Sequence, residues 1–471
     1  MAHVRVLNHY LHSKFLFLGT IEFFLLMSAV IAGVEFRNMW ADAGEQIYLD
    51  SPGLQLISFA VVMSSCTLAM GVYTSIFREG LTGMFLRTIV GYFFLGTASL
   101  TIIYYLFPVI YLGRGVLAFA ISFALVFVLI VRVLFYKAVD LAQLTRNVVF
   151  LGAGKTAKHI IERIDPVNTE MGFNLYGCIP CGQDNVSVDK QLLLNAPADW
   201  GVFVKENNIS EIVVAPDERR SSEGGQIPID ELLDCKLRGI SVTEPVAFVE
   251  RELLRIELTM LRPGWALFSD GFSYSQIRDV MKRLFDLGVA SLILLFMWPF
   301  MLLTAVAVKL ESAGPTLYKQ VRVGLNGKEF AIYKFRSMAQ DAEKDGKAVW
   351  ATKNDARVTR VGAFIRNTRL DELPQLYNVF KGDMSFVGPR PERPQFVDEL
   401  KEIIPFYDAR HRVKPGLMGW AQLKYPYGAS VDDARHKLKY DLYYVKNHSF
   451  FMDVLIVIQT VEVVLLGKGV H

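Results

Sequence analysis

The chain has 471 residues, 52% of them hydrophobic, and its 50 basic and 47 acidic side chains leave a net charge of +3. That apolar fraction predicts membrane segments, and the near-balanced charge argues against a nucleic-acid binder, which would be strongly and locally basic. Four cysteines are too few for a disulfide framework, and the C-x-x-C of Cys178 and Cys181 lacks the second Cys or His pair that a zinc site needs.

Four apolar stretches open the chain: Phe15–Val34, Leu54–Phe77, Thr88–Phe107 and Val116–Tyr136. Each is near the ~20 residues that cross a bilayer. Their short connections predict a four-span helical membrane domain over residues 1–140. No signal peptide with a small-residue cleavage site precedes it. Arg5, Lys14, Arg78, Arg87, Lys137 and Arg146 flank one set of helix ends, whereas the first outer loop carries Glu35, Asp42, Glu45 and Asp50 against a lone Arg37. The positive-inside rule then places the N-terminus and everything after Tyr136 in the cytoplasm.

Residues 141–255 read as a Rossmann-like cytosolic α/β domain. "RNVVFLGAGKTAKHIIERI" (146–164) has the order strand, glycine turn, helix, and Gly152, Gly154 and Ala157 fit the dinucleotide fingerprint. "NLYGCIP", a helix near Asp199–Asn207, the strand "EIVVAP" and a helix near Ile229–Arg238 follow. The three fingerprint positions either bind a nucleotide or serve only tight strand–helix packing. The acid expected to meet a ribose about 20 residues on is absent, since "GCIPC" stands there. The domain also lacks the Tyr-x-x-x-Lys pair that a dehydratase or epimerase would want.

After a linker over 256–274, residues 275–471 form a third region. "KRLFDLGVASLILLFMWPFMLLTAVAVKL" (282–310) is long enough to span, yet Pro299 sits in its middle and both flanks are basic. Proline removes a helix hydrogen bond and clashes with the preceding turn, and a crossing helix should be asymmetric in flanking charge. The segment therefore reads as a bent, re-entrant helix dipping into the cytoplasmic leaflet. "GPTLYKQVRVGLNGKEFAIYKFRSM" (314–338) alternates as a small sheet. Its Lys334 and Arg336 are candidates for binding phosphate.

"RLDELPQLYNVFKGDMSFVGPRPE" (369–392) places Asp371 beside Glu372. Consecutive helical side chains point about 100° apart, so the two acids cannot act as one pair on one face. A helix capped by Thr368 would meet Pro374 in its second turn. A helix starting at Asp371 would hold the proline harmlessly in its first turn. Asp371 there suits a carboxylate nucleophile attacking phosphorus beside a magnesium ion, with Glu372 holding the metal. Arg366 and Arg390 flank the pair and could neutralise phosphoryl oxygens. The last apolar stretch, "FFMDVLIVIQTVEVVLLG" (450–467), carries Asp453, Gln459 and Glu462. It reads as an amphipathic helix lying on the membrane.

From about 276 to 466 the sequence resembles the bacterial sugar transferase family, the monotopic polyprenyl-phosphate phosphoglycosyl transferases. The resemblance rests on "KRLFD", Pro299, "KFRSM", "LDELPQLYNVFKGDMSFVGPRP", "KPGLMGWAQL" and "YDLYYVKNHSFFMD". Four spans and a Rossmann-like domain ahead of it resemble the large members, of the undecaprenyl-phosphate glucose or galactose phosphotransferase type. The resemblance implies Asp371 as nucleophile, Glu372 as the Mg2+ ligand, and a small α/β catalytic domain with a re-entrant helix. It places Arg366, Arg390, Lys334, Arg336, Lys282 and Arg283 as phosphate-binding residues and Asp286 and Asp453 in the active site. It implies a UDP-sugar donor, undecaprenyl phosphate as acceptor and membrane lipid as surroundings. It also implies the bacterial inner membrane as location, with catalysis on the cytoplasmic face. The expected reaction moves a hexose-1-phosphate, glucose-1-phosphate first, with release of UMP and a covalent aspartyl phosphosugar, priming exopolysaccharide synthesis. "LKYPYGAS" (423–430) departs from the family's usual Asn-Gly-x-x-Gly stretch. A homo-oligomer through the membrane or Rossmann-like domain is compatible with this reading. The rival reading is a non-catalytic membrane scaffold or nucleotide sensor of polysaccharide assembly.

Overall fold

The computed structural model describes residues 3–6, 9–40, 46, 48–70, 80–138, 146–164, 173–182, 185–218, 227–261, 276–338, 357–425, 428 and 430–465. Asp42, Glu45, Arg78, the end of the second predicted span, residues 262–274 of the linker and residues 466–467 lie outside them. The chain separates into two compact units, one reaching Leu254 and the other running from Arg255.

In the first unit, hydropathy dictates helices α1 (Ser13–Met39), α2 (Pro52–Ala69), α3 (Gly80–Val90), α4 (Thr97–Leu106) and α5 (Arg114–Ala138). A π-helical turn, Gly91–Gly96, joins α3 to α4. Among the described residues of this unit, four helical stretches are long and apolar enough to cross a membrane: Leu16–Met39, Pro52–Ala69, Met84–Leu106 and Arg114–Phe135. Leu26, Phe59, Met63, Tyr92, Ala120, Ala124 and Val128 form their shared core. Inside it Arg132 meets Glu22 through two hydrogen bonds, at 2.6 and 2.8 Å, and donates a third to Thr88 at 2.5 Å. Such internal pairing is what a charge at membrane depth requires.

The α/β part runs β1 (Arg146–Leu151), α6 (Lys155–Ile164), β2 (Phe173–Ile179), α7 (Trp200–Glu206), β3 (Ile209–Val214), α8 (Ile229–Leu237), β4 (Ser241–Thr243) and α9 (Pro245–Leu253). The four strands are parallel, in the order β2-β1-β3-β4. Unbroken apolar runs such as Val148–Leu151 suit strands covered on both faces. Asp199 caps α7 by accepting from the Val202 N–H at 3.0 Å. Cys178 and Cys181 are both buried.

The second unit begins its described helices with α10 (Gln276–Glu311), which contains Pro299 rather than ending at it. An antiparallel hairpin follows, β5 (Leu317–Val323) and β6 (Glu329–Phe335), with Tyr318 opposite Lys334. Helix α11 (Arg360–Asn367) leads into a 3-10 helix, Leu370–Gln375, and then α12 (Leu376–Lys381). Strand β7 (Ser385–Val387) pairs in parallel with β8 (Gly416–Met418), with α13 (Pro394–Ile403) between them in sequence. Helices α14 (Trp420–Lys424), α15 (Val431–Asn447) and α16 (Phe450–Leu465) complete the described chain.

Both flanks of α10 are bound to this one unit. At its start, Arg283 donates to the carbonyls of Val379 and Phe380 at 2.6 and 2.7 Å. Near its end, Val308 shares a small core with Phe335 and Ile365, against which Met301 and Ala305 pack. Between the flanks, Leu295, Trp298, Phe300, Leu302 and Leu303 are exposed. The helix therefore offers the unit its two ends and leaves its apolar middle uncovered. Helix α16 buries Met452, Asp453, Leu455 and Ile456 in the unit. The carboxylate that made this helix unsuited to span is thereby turned toward the protein.

Candidate active site

The two acids sit on a 3-10 helix, not at the start of an α-helix. Thr368 caps the end of α11 instead of opening the next helix, and its hydroxyl donates to the Phe364 carbonyl at 2.9 Å. Arg369 takes a left-handed backbone conformation, φ 60°, and the 3-10 helix begins one residue later. With three residues per turn, consecutive side chains diverge by about 120°. This separates the environments of Asp371 and Glu372. Pro374 lies inside this short helix rather than in its first turn, so one of its backbone donors is missing there.

Strand β6 lies alongside. Asn378 of α12 donates to the Ala331 carbonyl at 2.7 Å and fixes the two elements in register. Lys334, three residues along β6, then reaches Glu372 Oε1 at 2.8 Å. Arg390 reaches the same oxygen at 2.8 Å. The turn that carries Arg390 is pinned from several directions. Gly388 N–H donates to the Met418 carbonyl and Gly416 N–H to that of Pro389. Arg410 donates to the Arg390 carbonyl at 2.8 Å while paired with Asp441 at 2.8 Å. A Cβ on Gly416 would lie 2.0 Å from the Gly388 nitrogen, so only glycine allows this approach.

The ionisation of the two acids is split. Burial alone would raise Glu372, but Arg390 and Lys334 outweigh it and hold the carboxyl well below its usual range. Asp371, only 8% exposed, is pushed up by burial first and by the Glu372 charge second, against Lys334, Arg390 and Arg369. Burial, with Arg390 nearby, draws Lys334 down despite both carboxylates. Neighbouring carboxyls driven in opposite directions suit two different roles.

The other sequence candidates divide by partner. Lys282 donates to Asp453 Oδ2 at 2.7 Å and to the Val387 carbonyl at 3.1 Å. Arg283 caps the last carbonyls of α12. Asp286 Oδ1 accepts from the Ser385 hydroxyl and the Phe386 N–H, both at 3.0 Å. Asp453 Oδ1 accepts from Tyr444 at 2.7 Å. "KRLFD" thus ties α10 to the segment that follows the acids. Arg336 donates to the Ser312 and Ala313 carbonyls at 2.8 Å, closing the end of α10. Arg366, in the last turn of α11, is half-buried and makes no side-chain ion pair among the described residues. In the other unit, Gly152 and Gly154 form the turn before α6, and Ala157 is fully buried. Sequence reasoning does not single out Asn378, Arg410 or Tyr444. The lone Asn378 within an apolar run was a readable signal, whereas the partners of the other two are remote in sequence.

Among the described residues, no three Asp, Glu, His or Cys side chains cluster as a metal site. Asp371 and Glu372 alone fit a magnesium ion, which takes one or two carboxylates and completes its shell with substrate phosphates and water. Both Asp371 oxygens and Glu372 Oε2 accept no hydrogen bond among the described residues, which leaves them for such a role.

The model of one protein family, described as bacterial sugar transferase, matches residues 277–467. Over 195 residues the chain is 51% identical to the UDP-N-acetylgalactosamine-undecaprenyl-phosphate N-acetylgalactosaminephosphotransferase of Aeromonas hydrophila, covering 41% of this chain and 46% of that one. It is 34% identical over 335 residues to the undecaprenyl-phosphate glucose phosphotransferase of Komagataeibacter xylinus, covering 68% and 59%. It is 41% identical over 218 residues to the UDP-glucose:undecaprenyl-phosphate glucose-1-phosphate transferase of Caulobacter vibrioides, covering 46% and 79%. The chain spans about half the length of the first two relatives.

Proposed function

The chain belongs to the bacterial sugar transferase family, and from that premise we propose that it is a membrane phosphoglycosyl transferase. It moves a hexose-1-phosphate from a UDP-sugar to undecaprenyl phosphate and releases UMP. The observation that carries the reading is the split pair: Glu372 fixed as an anion by Lys334 and Arg390, with the more weakly acidic Asp371 beside it.

In the first step the Asp371 carboxylate attacks the sugar-bearing phosphorus. A phosphorus–oxygen bond to Asp371 forms, the bond to UMP breaks, and UMP leaves. In the second step an oxygen of the lipid phosphate attacks the same phosphorus. The bond to Asp371 breaks, yielding the lipid diphosphate sugar and restoring the carboxylate. Both nucleophiles are already anions, so neither step needs a strong general base. The raised pKa of Asp371 strengthens it as a nucleophile once ionised. Glu372, Lys334 and Arg390 orient charge around the transferring group. A bound magnesium ion, held by Glu372 with Asp371 adjacent, would neutralise phosphate oxygens.

The binding of both α10 flanks to one unit supports the re-entrant reading. A helix crossing a hydrocarbon core of about 30 Å separates its flanks onto opposite sides, where one small aqueous domain could not hold both. The exposed apolar middle would enter the leaflet and bring the acids to the lipid phosphate. We place this domain on the cytoplasmic face of the bacterial inner membrane, the side with the UDP-sugar. The test is a donor panel with undecaprenyl phosphate, following UMP and lipid product. UDP-glucose is the first donor expected from the sequence, and the relatives' names add UDP-N-acetylgalactosamine. Multiple-turnover UMP release that depends on the lipid supports the reading, whereas intact protein releasing none from any donor would favour the scaffold reading.

A further inference from the structure

We propose that the glycine turn of the α/β domain is an anion seat filled by the chain itself, with the Asp217 carboxylate standing where a dinucleotide's phosphate would stand, so that no nucleotide binds there. The turn precedes α6, whose first N–H groups have no partner within the helix and face outward as an anion site. Lys155 N–H donates to Asp217 Oδ2 at 2.8 Å, and Thr156 N–H donates to Asp217 Oδ1 at 2.8 Å. Each carboxylate oxygen thus takes one N–H of the first turn.

The fingerprint positions are accounted for by the same contacts. A Cβ at Gly154 would lie 2.2 Å from Asp217 Oδ2, so the small residue makes room for the carboxylate. Gly152 has φ +126°, and a Cβ there would lie 2.2 Å from the Ala215 carbonyl oxygen, two residues before Asp217. Ala157 is fully buried against the domain core. The end of β3 is held in place by Ala215 N–H donating to the Leu151 carbonyl at 2.7 Å, which delivers Asp217 to the turn. Desolvation alone would raise the carboxyl, but the Thr156 and Lys155 N–H groups, with the Thr156 side chain and the Lys155 charge, hold it below its usual range. A tethered anion is present at high effective concentration, and a free phosphate must displace it. The missing ribose acid at the end of β2 removes the other half of the usual recognition. Pairing such glycines with an acid just after the third strand is consistent with a domain kept for its packing.

The test is hydrogen exchange, read by mass spectrometry on the peptide covering Gly152–Ala157 in the full-length protein in lipid nanodiscs. NAD+ serves as the nucleotide probe and sulfate as the simple anion, at fixed ionic strength. In the unaltered protein neither should change exchange in this peptide. Asp217→Ala should speed exchange there, and sulfate should slow it again. Gly154→Ala should speed exchange too, because the added methyl expels the carboxylate, and the double variant should exchange no faster than Asp217→Ala alone. If Asp217→Ala unfolds the domain, the isosteric Asp217→Asn gives the same comparison. Protection of the unaltered turn by NAD+, indifference of the Asp217 variants to sulfate, or additive effects of the two substitutions would each overturn the proposal. None of these readouts depends on catalysis in the other unit.

Discussion

The Lys334 ammonium lies 2.8 Å from Glu372 Oε1, so a cation from strand β6 fixes the second acid of the pair as an anion. That fixed charge, after burial, is the second cause of the raised pKa of Asp371. The activity proposed here needs Asp371 ionised. Activity should therefore be lost as pH falls through a value above the ordinary aspartate range.

The sign of that effect can be tested by substitution. Glu372→Gln removes the negative neighbour and leaves Lys334, Arg390 and Arg369 acting on Asp371. The acid limb of the residual rate should then move to lower pH. Lys334→Gln removes a cation and should move the limb to higher pH. A limb that stays put in both variants would belong to some other group.

Arg283 provides a second prediction, because its guanidinium is committed to two backbone carbonyls. Hydrogen bonds from charged groups contribute about 1.5–3 kcal/mol each. Arg283→Ala should lower the stability of the unit by about 3 kcal/mol or more and leave the KM for the UDP-sugar close to its original value. Denaturant unfolding and steady-state kinetics check the two halves. A large rise in KM without loss of stability would assign Arg283 to the substrate instead.

The two flanks of α10 give a third. Gln276→Cys and Leu310→Cys introduce thiols at exposed positions on either side of the apolar middle. A membrane-impermeant maleimide should reach both from the cytoplasmic side and neither from outside. Labelling from opposite sides would make α10 a spanning helix.

Much of this was legible in the sequence because it rests on local patterns. Hydropathy alone located the apolar helices, and the alternation from Leu317 to Phe335 gave the hairpin that delivers Lys334. The residue types at Asp371, Glu372 and Arg390 are the basis of the phosphate chemistry proposed for them. The internal partners of the cations were not legible. Lys282, Arg283 and Arg336 are the right residues for phosphate, but Arg283 and Arg336 bond to carbonyl groups, which every residue carries and no sequence pattern marks, and Lys282 pairs with Asp453, remote in sequence. The 3-10 form of Leu370–Gln375 was hidden for a related reason, since the register set by Asn378 against Ala331 is a tertiary contact. Asp217 is more than 60 residues from the glycines it serves, and only the parallel pairing of β1 with β3 brings it there.

The central claim is that Asp371 becomes covalently bonded to the phosphosugar. The full-length protein should be mixed with UDP-sugar without lipid acceptor, quenched, digested and analysed by mass spectrometry. The account predicts a hexose-phosphate adduct on Asp371 that disappears when undecaprenyl phosphate is added. It also predicts none in Asp371→Asn, whose turnover should fall on the order of 10³-fold or more with its melting temperature unchanged. An adduct on another residue, or full lipid-dependent turnover by Asp371→Asn, would contradict it.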